Sequence, residues 1–227
     1  MNLTDIIGCQ DVPEIHIFVF AQEAKRTRKM VQTLSSAGYV QSDVVNLTIV
    51  SDNVTLRDFK PKWTHGALEI ATNSLEQLEL RKRMDVASYY NALVIILDDH
   101  SEPSPLFALW FLIQHCHTNA SAIAGGVGKG MDLVSGLALD ADIWDGFIAW
   151  ALESNHSLTS ISTASVIEFL VSLPHGSSIV FPSINGGNTF VRAEWQNPAY
   201  VEHEPKLTRT WDPVKEPSWG AVEVRLS

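Results

Sequence analysis

Residues 92–110 read ALVIILDDHSEPSPLFALW. Ala92 to Leu97 is an unbroken apolar run, rich in β-branched residues, with the length of a strand buried on both faces at the centre of a parallel sheet. It stops at Asp98-Asp99-His100, and Pro103 and Pro105 then open a helix over Leu106–Cys116, because proline is tolerated in a first turn. Upstream, Ile15–Phe20 (IHIFVF) predicts a strand and Ala21–Leu34 the helix after it. Val44–Val50 (VVNLTIV) is a second strand ending at Ser51-Asp52-Asn53, and Leu68–Met84 reads as a helix charged on one face. Downstream, Ala120–Val127 and Val134–Leu139 are strand candidates around the loop Gly125–Gly130 (GGVGKG). Ile143–Leu152 and Ala164–Leu173 read as helices, and Ser178–Phe181 as a last strand. This alternation predicts the α/β class, with a mixed, mostly parallel central sheet flanked by helices. A single domain over 1–227 is expected, its core at about 13–203 and an irregular tail at 204–227.

The chain has 227 residues and a formal net charge of −10 against 16 Lys and Arg, which gives duplex nucleic acid no general electrostatic footprint. The basic cluster Lys25-Arg26, Arg28-Lys29 is at helical spacing and reads as a solvated face. No apolar run reaches the roughly 18 residues that a bilayer span requires, and Met1–Gln10 lacks a basic region followed by an apolar stretch. The expectation is therefore a cytoplasmic chain with no membrane span. Cys9 and Cys116 have neither CxxC nor zinc-ligand spacing and read as reduced apolar residues. In such a compartment the five N-x-S/T sequons, at Asn2, Asn46, Asn53, Asn119 and Asn155, read as chance.

Chemistry concentrates at the end of the 92–97 strand. In an extended chain Asp98 and His100 alternate to the same side, so one divalent cation can draw ligands from both. At the carboxyl edge of an open α/β sheet, such a metal would neutralise a diphosphate leaving group. The competing reading makes Asp98–Glu102 a solvated loop that caps the following helix. The GGVGKG loop superficially matches a P-loop, but Ile123 stands where its first glycine belongs and Gly130 where Ser or Thr would hold Mg²⁺.

The 92–110 stretch also resembles the segment around the acidic metal motif of GT-A-type glycosyltransferases, particularly a family-2-like group whose pattern runs roughly ALVLEDDIEVSPLFYLW. Trp63-Thr64-His65-Gly66 is similar to that group's WPHG, and Asn73-Ser74-Leu75 to its N-G-L. Ser135–Leu139 through Trp144 and Phe147 is similar to SWGALYFPEHWREF, and Ile179–Pro182 to its YP strand end. The compact glycosyltransferase domains of chlorella viruses are similar in size.

The resemblance implies a single GT-A (Rossmann-like) domain that uses a nucleotide-sugar donor, UDP-linked first of all, and Mn²⁺ or Mg²⁺. Asp98 and His100 fall on the metal motif, with His100 where the pattern has Asp, and His203 stands near the place of a late histidine ligand, with His175 as competitor. Asp52 falls on the strand-two acid that meets the base or ribose, Asn73 lies on the nucleotide side, and Ala21-Gln22-Glu23 would approach the base. Asp142 aligns with the acid before the group's Trp and is the expected general base of an inverting transfer to a glycan or other hydroxyl acceptor. An acid there also suits a helix N-terminus, and Asp140, Asp145, Asp132 and Glu153 compete with it. A catalytically silent nucleotide- or glycan-binding module of the same fold is the alternative, and a P-loop-like ATPase the third.

Overall fold

The computed structural model describes residues 13–37, 45–52, 56, 59–72, 81–82, 84–85, 92–99, 101–103, 107–125, 136–174, 176–182, 191–193 and 221–226. Eight strands form one sheet: β1 (Glu14–Ala21), β2 (Val45–Ser51), β3 (Leu68–Thr72), β4 (Ala92–Asp98), β6 (Ala122–Ala124), β7 (Leu137–Asp140), β8 (Ser177–Pro182) and β10 (Ala221–Leu226). Their order is β10-β8-β6-β7-β4-β1-β2-β3, and a separate pair joins β5 (Ser101–Pro103) to β9 (Val191–Ala193). β7 and β10 run against the other six. The α/β class with a mixed, mostly parallel sheet is thus the observed one.

β1 and β4 lie side by side in the middle, and the near-continuous burial of Ile15–Ala21 and Ala92–Leu97 follows from helices covering both faces. On one face α1 (Ala24–Ser36) and α2 (Phe107–His117) pack Met30, Val31, Leu34 and the Phe107–Ile113 run against Ile17, Val19, Ile95 and Leu97. On the other, α3 (Ala141–Glu153) and α4 (Thr163–Ser172) bring Trp144, Phe147, Val166 and Phe169 onto Phe18, Val94 and Ile96. Trp110 and Trp144 are fully buried core members. Trp144 stacks on Phe18 at 4.7 Å between centroids, and its Nε1 donates to the Met84 carbonyl at 2.7 Å. Trp110 donates in the same way to Ala124 at 3.1 Å, as a buried indole must.

Three expectations are corrected. Leu68–Thr72 is a strand, not the start of a helix, because β2 offers it a parallel ladder and the Ile70 and Thr72 side chains suit a pleated surface. Gly66 permits its entry: a Cβ there would stand 2.6 Å from the Val45 carbonyl oxygen. The stretch after 204 is not wholly irregular, since Ala221–Leu226 adds an antiparallel edge to β8, with Glu223 and Arg225 exposed and Leu226 buried. Cys116 is disulfide-bonded, not reduced; the second cysteine, Cys9, lies outside the described residues. Among the described residues no helix is long and apolar enough to cross a membrane.

His16, on β1, pairs in register with Asn46 of β2 and is buried. Asn46 Oδ1 accepts the Ala67 amide at 3.0 Å, so its Nδ2 faces His16 Nε2 at 2.8 Å and donates to it. The ring is therefore neutral with its proton on Nδ1, and burial lowers its pKa from 6.5 to about 4. The unfolded chain takes up a proton near pH 6.5 that the folded chain refuses until about pH 4, so this stability is complete above 6.5 and lost as pH falls towards 4. At about 1.4 kcal/mol per unit the penalty approaches about 3 kcal/mol. Urea unfolding of wild type and His16→Gln at pH 7 and 4.5 checks this. The wild type is expected to lose about 2 to 3 kcal/mol more than the variant.

Candidate functional site at the carboxyl edge of the sheet

The parallel register aligns the ends of neighbouring strands: Ala21 is level with Ser51, Ser51 with Thr72, and Phe20 with Asp98. The Ala21-Gln22-Glu23 turn, Asp52 and Asp98 therefore gather on one edge of the sheet. Asp52, Gln22 and Glu23 are exposed there, and Asp98 is half-buried. His100, Asn73, His203 and His175 lie outside the described residues.

Asp99 holds this edge together. Its side chain is fully buried, and Oδ2 accepts the backbone amides of Gln22 at 2.8 Å and Glu23 at 2.6 Å. Its own amide donates to the Phe20 carbonyl at 3.3 Å. Glu23 is the N-cap residue of α1 but makes no side-chain cap bond. A carboxylate from the central strand instead holds the two amides that lead into the helix and also meets the positive end of the helix dipole. Arg26, one turn into α1, completes the arrangement with Nε 3.6 Å from Asp99 Oδ1 and 3.2 Å from Glu23 Oε2. Ser51 Oγ donates to the Ala21 carbonyl at 2.6 Å and ties β2 to the same turn.

The sequence singles out Asp98 and His100 by alternation and places Arg26 in a solvated basic face, whereas its side chain, 20% exposed, is turned in towards Glu23 and the buried Asp99. A local signal existed for Asp99, because a helix opening on Gln22-Glu23 lacks a Ser, Thr, Asp or Asn cap of its own and needs an acceptor from elsewhere.

The opposite edge holds other expected participants. β7 runs antiparallel to β4 with Asp140 level with Leu93, so Asp140 lies about 16 Å from the Asp98 end at ~3.3 Å per residue. Asp142 stands in the first turn of α3, exposed, beyond that end of β7. The structure does not bring it to Asp98. Asp140 instead pairs with His115, Nδ1 to Oδ1 at 3.0 Å. The Trp63-Thr64-His65-Gly66 segment sits at the same far edge: Trp63 Nε1 donates to the Val45 carbonyl at 3.0 Å, and the His65 carbonyl accepts the Val45 amide at 2.8 Å. It positions the start of β2 and β3. A cleft of about 460 Å³ opens between α1 and residues 59–64, with Arg28 over the Phe59 ring at 5.7 Å, and it is separate from the carboxyl edge.

Of the glycine-rich loop, Gly125 is described. The Gly125 amide donates to the Gly136 carbonyl at 3.0 Å where β6 ends and β7 begins, so the loop between them leaves from and returns to the edge that carries Asp98. Among the described residues no group of three His, Cys, Asp or Glu is arranged to hold a metal.

Asp99→Ala is expected to lower stability by about 2 to 4 kcal/mol, since it leaves two amides and a guanidinium without their carboxylate. Asp52→Ala is expected to stay within about 0.5 kcal/mol. Denaturant midpoints of the two variants check the contrast.

No protein-family model matches the chain, and no curated protein matches it. Among solved structures, GalNAc-T7 with UDP, GalNAc and Mn²⁺ aligns at TM-score 0.38 and 10% identity over 51% of this chain and 23% of that one. The 4-diphosphocytidyl-2C-methyl-D-erythritol synthase of Anaerococcus prevotii DSM 20548 aligns at TM-score 0.43 and 15% identity, over 73% of this chain and 84% of that one.

Proposed function

We propose that the carboxyl edge binds a nucleoside-diphosphate sugar, UDP-linked, and that the chain transfers its sugar to a hydroxyl of a glycan acceptor by single displacement with inversion. What supports this reading is convergence: the β1–α1 turn, Asp52 after β2 and Asp98 at the end of β4 were picked out at separate points of the sequence, and their strands end side by side on one edge. Open α/β sheets bind ligands outside the carboxyl ends of their strands.

Each group has a stated part. The Gln22 and Glu23 amides are already bonded to Asp99, so base and ribose contacts come from the side chains of Gln22, Glu23, Asp52 and Asn73 around a turn that Asp99 fixes. Asp98, with His100 two residues on and His203 as a later ligand, would hold Mn²⁺ or Mg²⁺, ions that accept carboxylate and imidazole donors. A metal bound there supplies charge neutralisation of the departing diphosphate. Asp99 is not in that set, because its oxygens face the turn and Arg26. The acceptor proton passes to a carboxylate at this same edge; Asp142, at the far edge, is not that base. The acceptor approaches beside Gly125, where β6 ends and glycine lets a sugar come close to the backbone.

The second reading is a binding module without turnover. The committed Asp99 favours it, since that leaves a single described carboxylate, Asp98, beside His100 for a metal. Calorimetric titration of UDP, GDP and ADP with and without Mn²⁺, on wild type and on Asp98→Ala/His100→Ala, tests both. The transferase reading expects one nucleotide to bind only with metal, the double substitution to weaken it by at least tenfold, and its sugar conjugates to be consumed. Metal-dependent binding with no consumption over a broad acceptor panel supports the module. No binding under any condition overturns both.

A further inference from the structure

The chain contains ten asparagines, and five of them open an N-x-S/T sequon. Ser and Thr make up 34 of the 227 residues, so chance alone gives about one or two sequons among ten asparagines. The excess is accompanied by an independent observation: Cys116, at the end of α2, is disulfide-bonded and no described cysteine is free. Disulfides form and persist in oxidising compartments, the setting in which a sequon is read by an enzyme at all.

The fold sorts the sequons. Asn46 is buried, its Oδ1 holds the Ala67 amide and its Nδ2 donates to His16, so its nitrogen is committed to the sheet. Asn2 and Asn53 lie outside the described residues. Asn119 is exposed in the coil after α2, three positions beyond Cys116, and its sequon serine, Ser121, is half-buried with its Oγ accepting the Ser178 amide at 3.4 Å. Asn155 is exposed at the end of α3. Its backbone, at φ 57°, closes that helix: the His156 amide donates to Ala151 at 2.8 Å and the Asn155 amide to Leu152 at 3.2 Å. Asparagine tolerates this left-handed conformation, and the side chain is left at the surface. Both sites lie on connections, where a bulky polar group is accommodated without disturbing the core.

We propose that this chain folds in an oxidising, glycosylating compartment and carries N-linked glycans on Asn119 and Asn155. This replaces the cytoplasmic setting expected from the sequence. In the transfer, the side-chain amide nitrogen forms a bond to the anomeric carbon of an oligosaccharide carried on a polyprenyl diphosphate. The carbon–oxygen bond to the diphosphate breaks, the polyprenyl diphosphate leaves with the bonding pair, and the amide loses one proton to a base of the transferring enzyme. The inference is independent of the donor site proposed above.

To test it, the full chain is secreted from a eukaryotic host behind a cleavable leader, its free thiols are alkylated without reduction, and glycopeptides are mapped by mass before and after amidase release. The expected result is glycan on Asn119 and Asn155, a bare Asn46, and Cys116 protected from alkylation. Asn119→Gln and Asn155→Gln should each remove one amidase-sensitive step in mobility. Recovery of either asparagine unmodified, or of Cys116 as an alkylated thiol, overturns the assignment. The wild-type map alone decides, so a variant that folds poorly does not affect the outcome.

Discussion

The carboxylate of Asp99 is the constraint on which the carboxyl edge depends. Placed at the end of the central strand and removed from solvent, it needs donors, and it finds them in the Gln22 and Glu23 amides just ahead of α1, with Arg26 as a counter-charge 3.6 Å away. α1 in turn opens on a residue that does not cap it. The two amide bonds to Asp99 hold the β1–α1 turn in one place against β4. A buried carboxylate with two short amide bonds is strong where the dielectric is low and costly to disrupt for the same reason.

That division of labour separates two adjacent acids. Backbone alternation turns Asp98 towards the face that carries Val94 and Ile96, beneath α3 and α4, while Asp99 serves the face covered by α1 and α2. One builds the edge and the other stands half-buried beside it. Ser51 extends the same tie to β2, so three strand ends that would otherwise be joined by sheet hydrogen bonds alone share side-chain contacts at the point where a ligand would sit.

The central strands were legible because long apolar runs have one meaning when they are bounded by polar triplets, and the helices after β1 and β4 follow from the charged or proline-opened stretches beside them. Leu68–Thr72 was misread because five residues, without their partner strand, carry too little period to separate strand from helix. The ladder with β2 and the close pass at Gly66 decide it. In AVEVRL, residues 221–226, the alternation was present but masked by the Pro- and Trp-rich context before it. The strand-end acids of the candidate site were legible in position, not in role. Residue type and strand-end position marked Asp98 and Asp52, whereas Asp142 was assigned without knowing the direction of β7, and an antiparallel strand carries its end to the other side of the sheet. Nothing local in a sequence states that direction.

The disulfide at Cys116 carries the same lesson in another form, since pairing depends on distance in the fold and not on spacing along the chain. The cleft beside Phe59 lies on a different part of the molecule from the strand-end acids and the β1–α1 turn.

The central claim is that ligand binding takes place at the edge defined by Asp99 and the β1–α1 turn. Amide-resolved chemical-shift mapping of the isotopically labelled chain, titrated with UDP in the presence of Mg²⁺, tests it most directly. The account predicts that the largest shifts fall on Ala21–Arg26, Ser51–Asp52, Thr72 and Asp98–Asp99. Shifts concentrated instead on His115, Asp140–Trp144 and the Trp63–Ala67 segment would place the site at the opposite edge and contradict it.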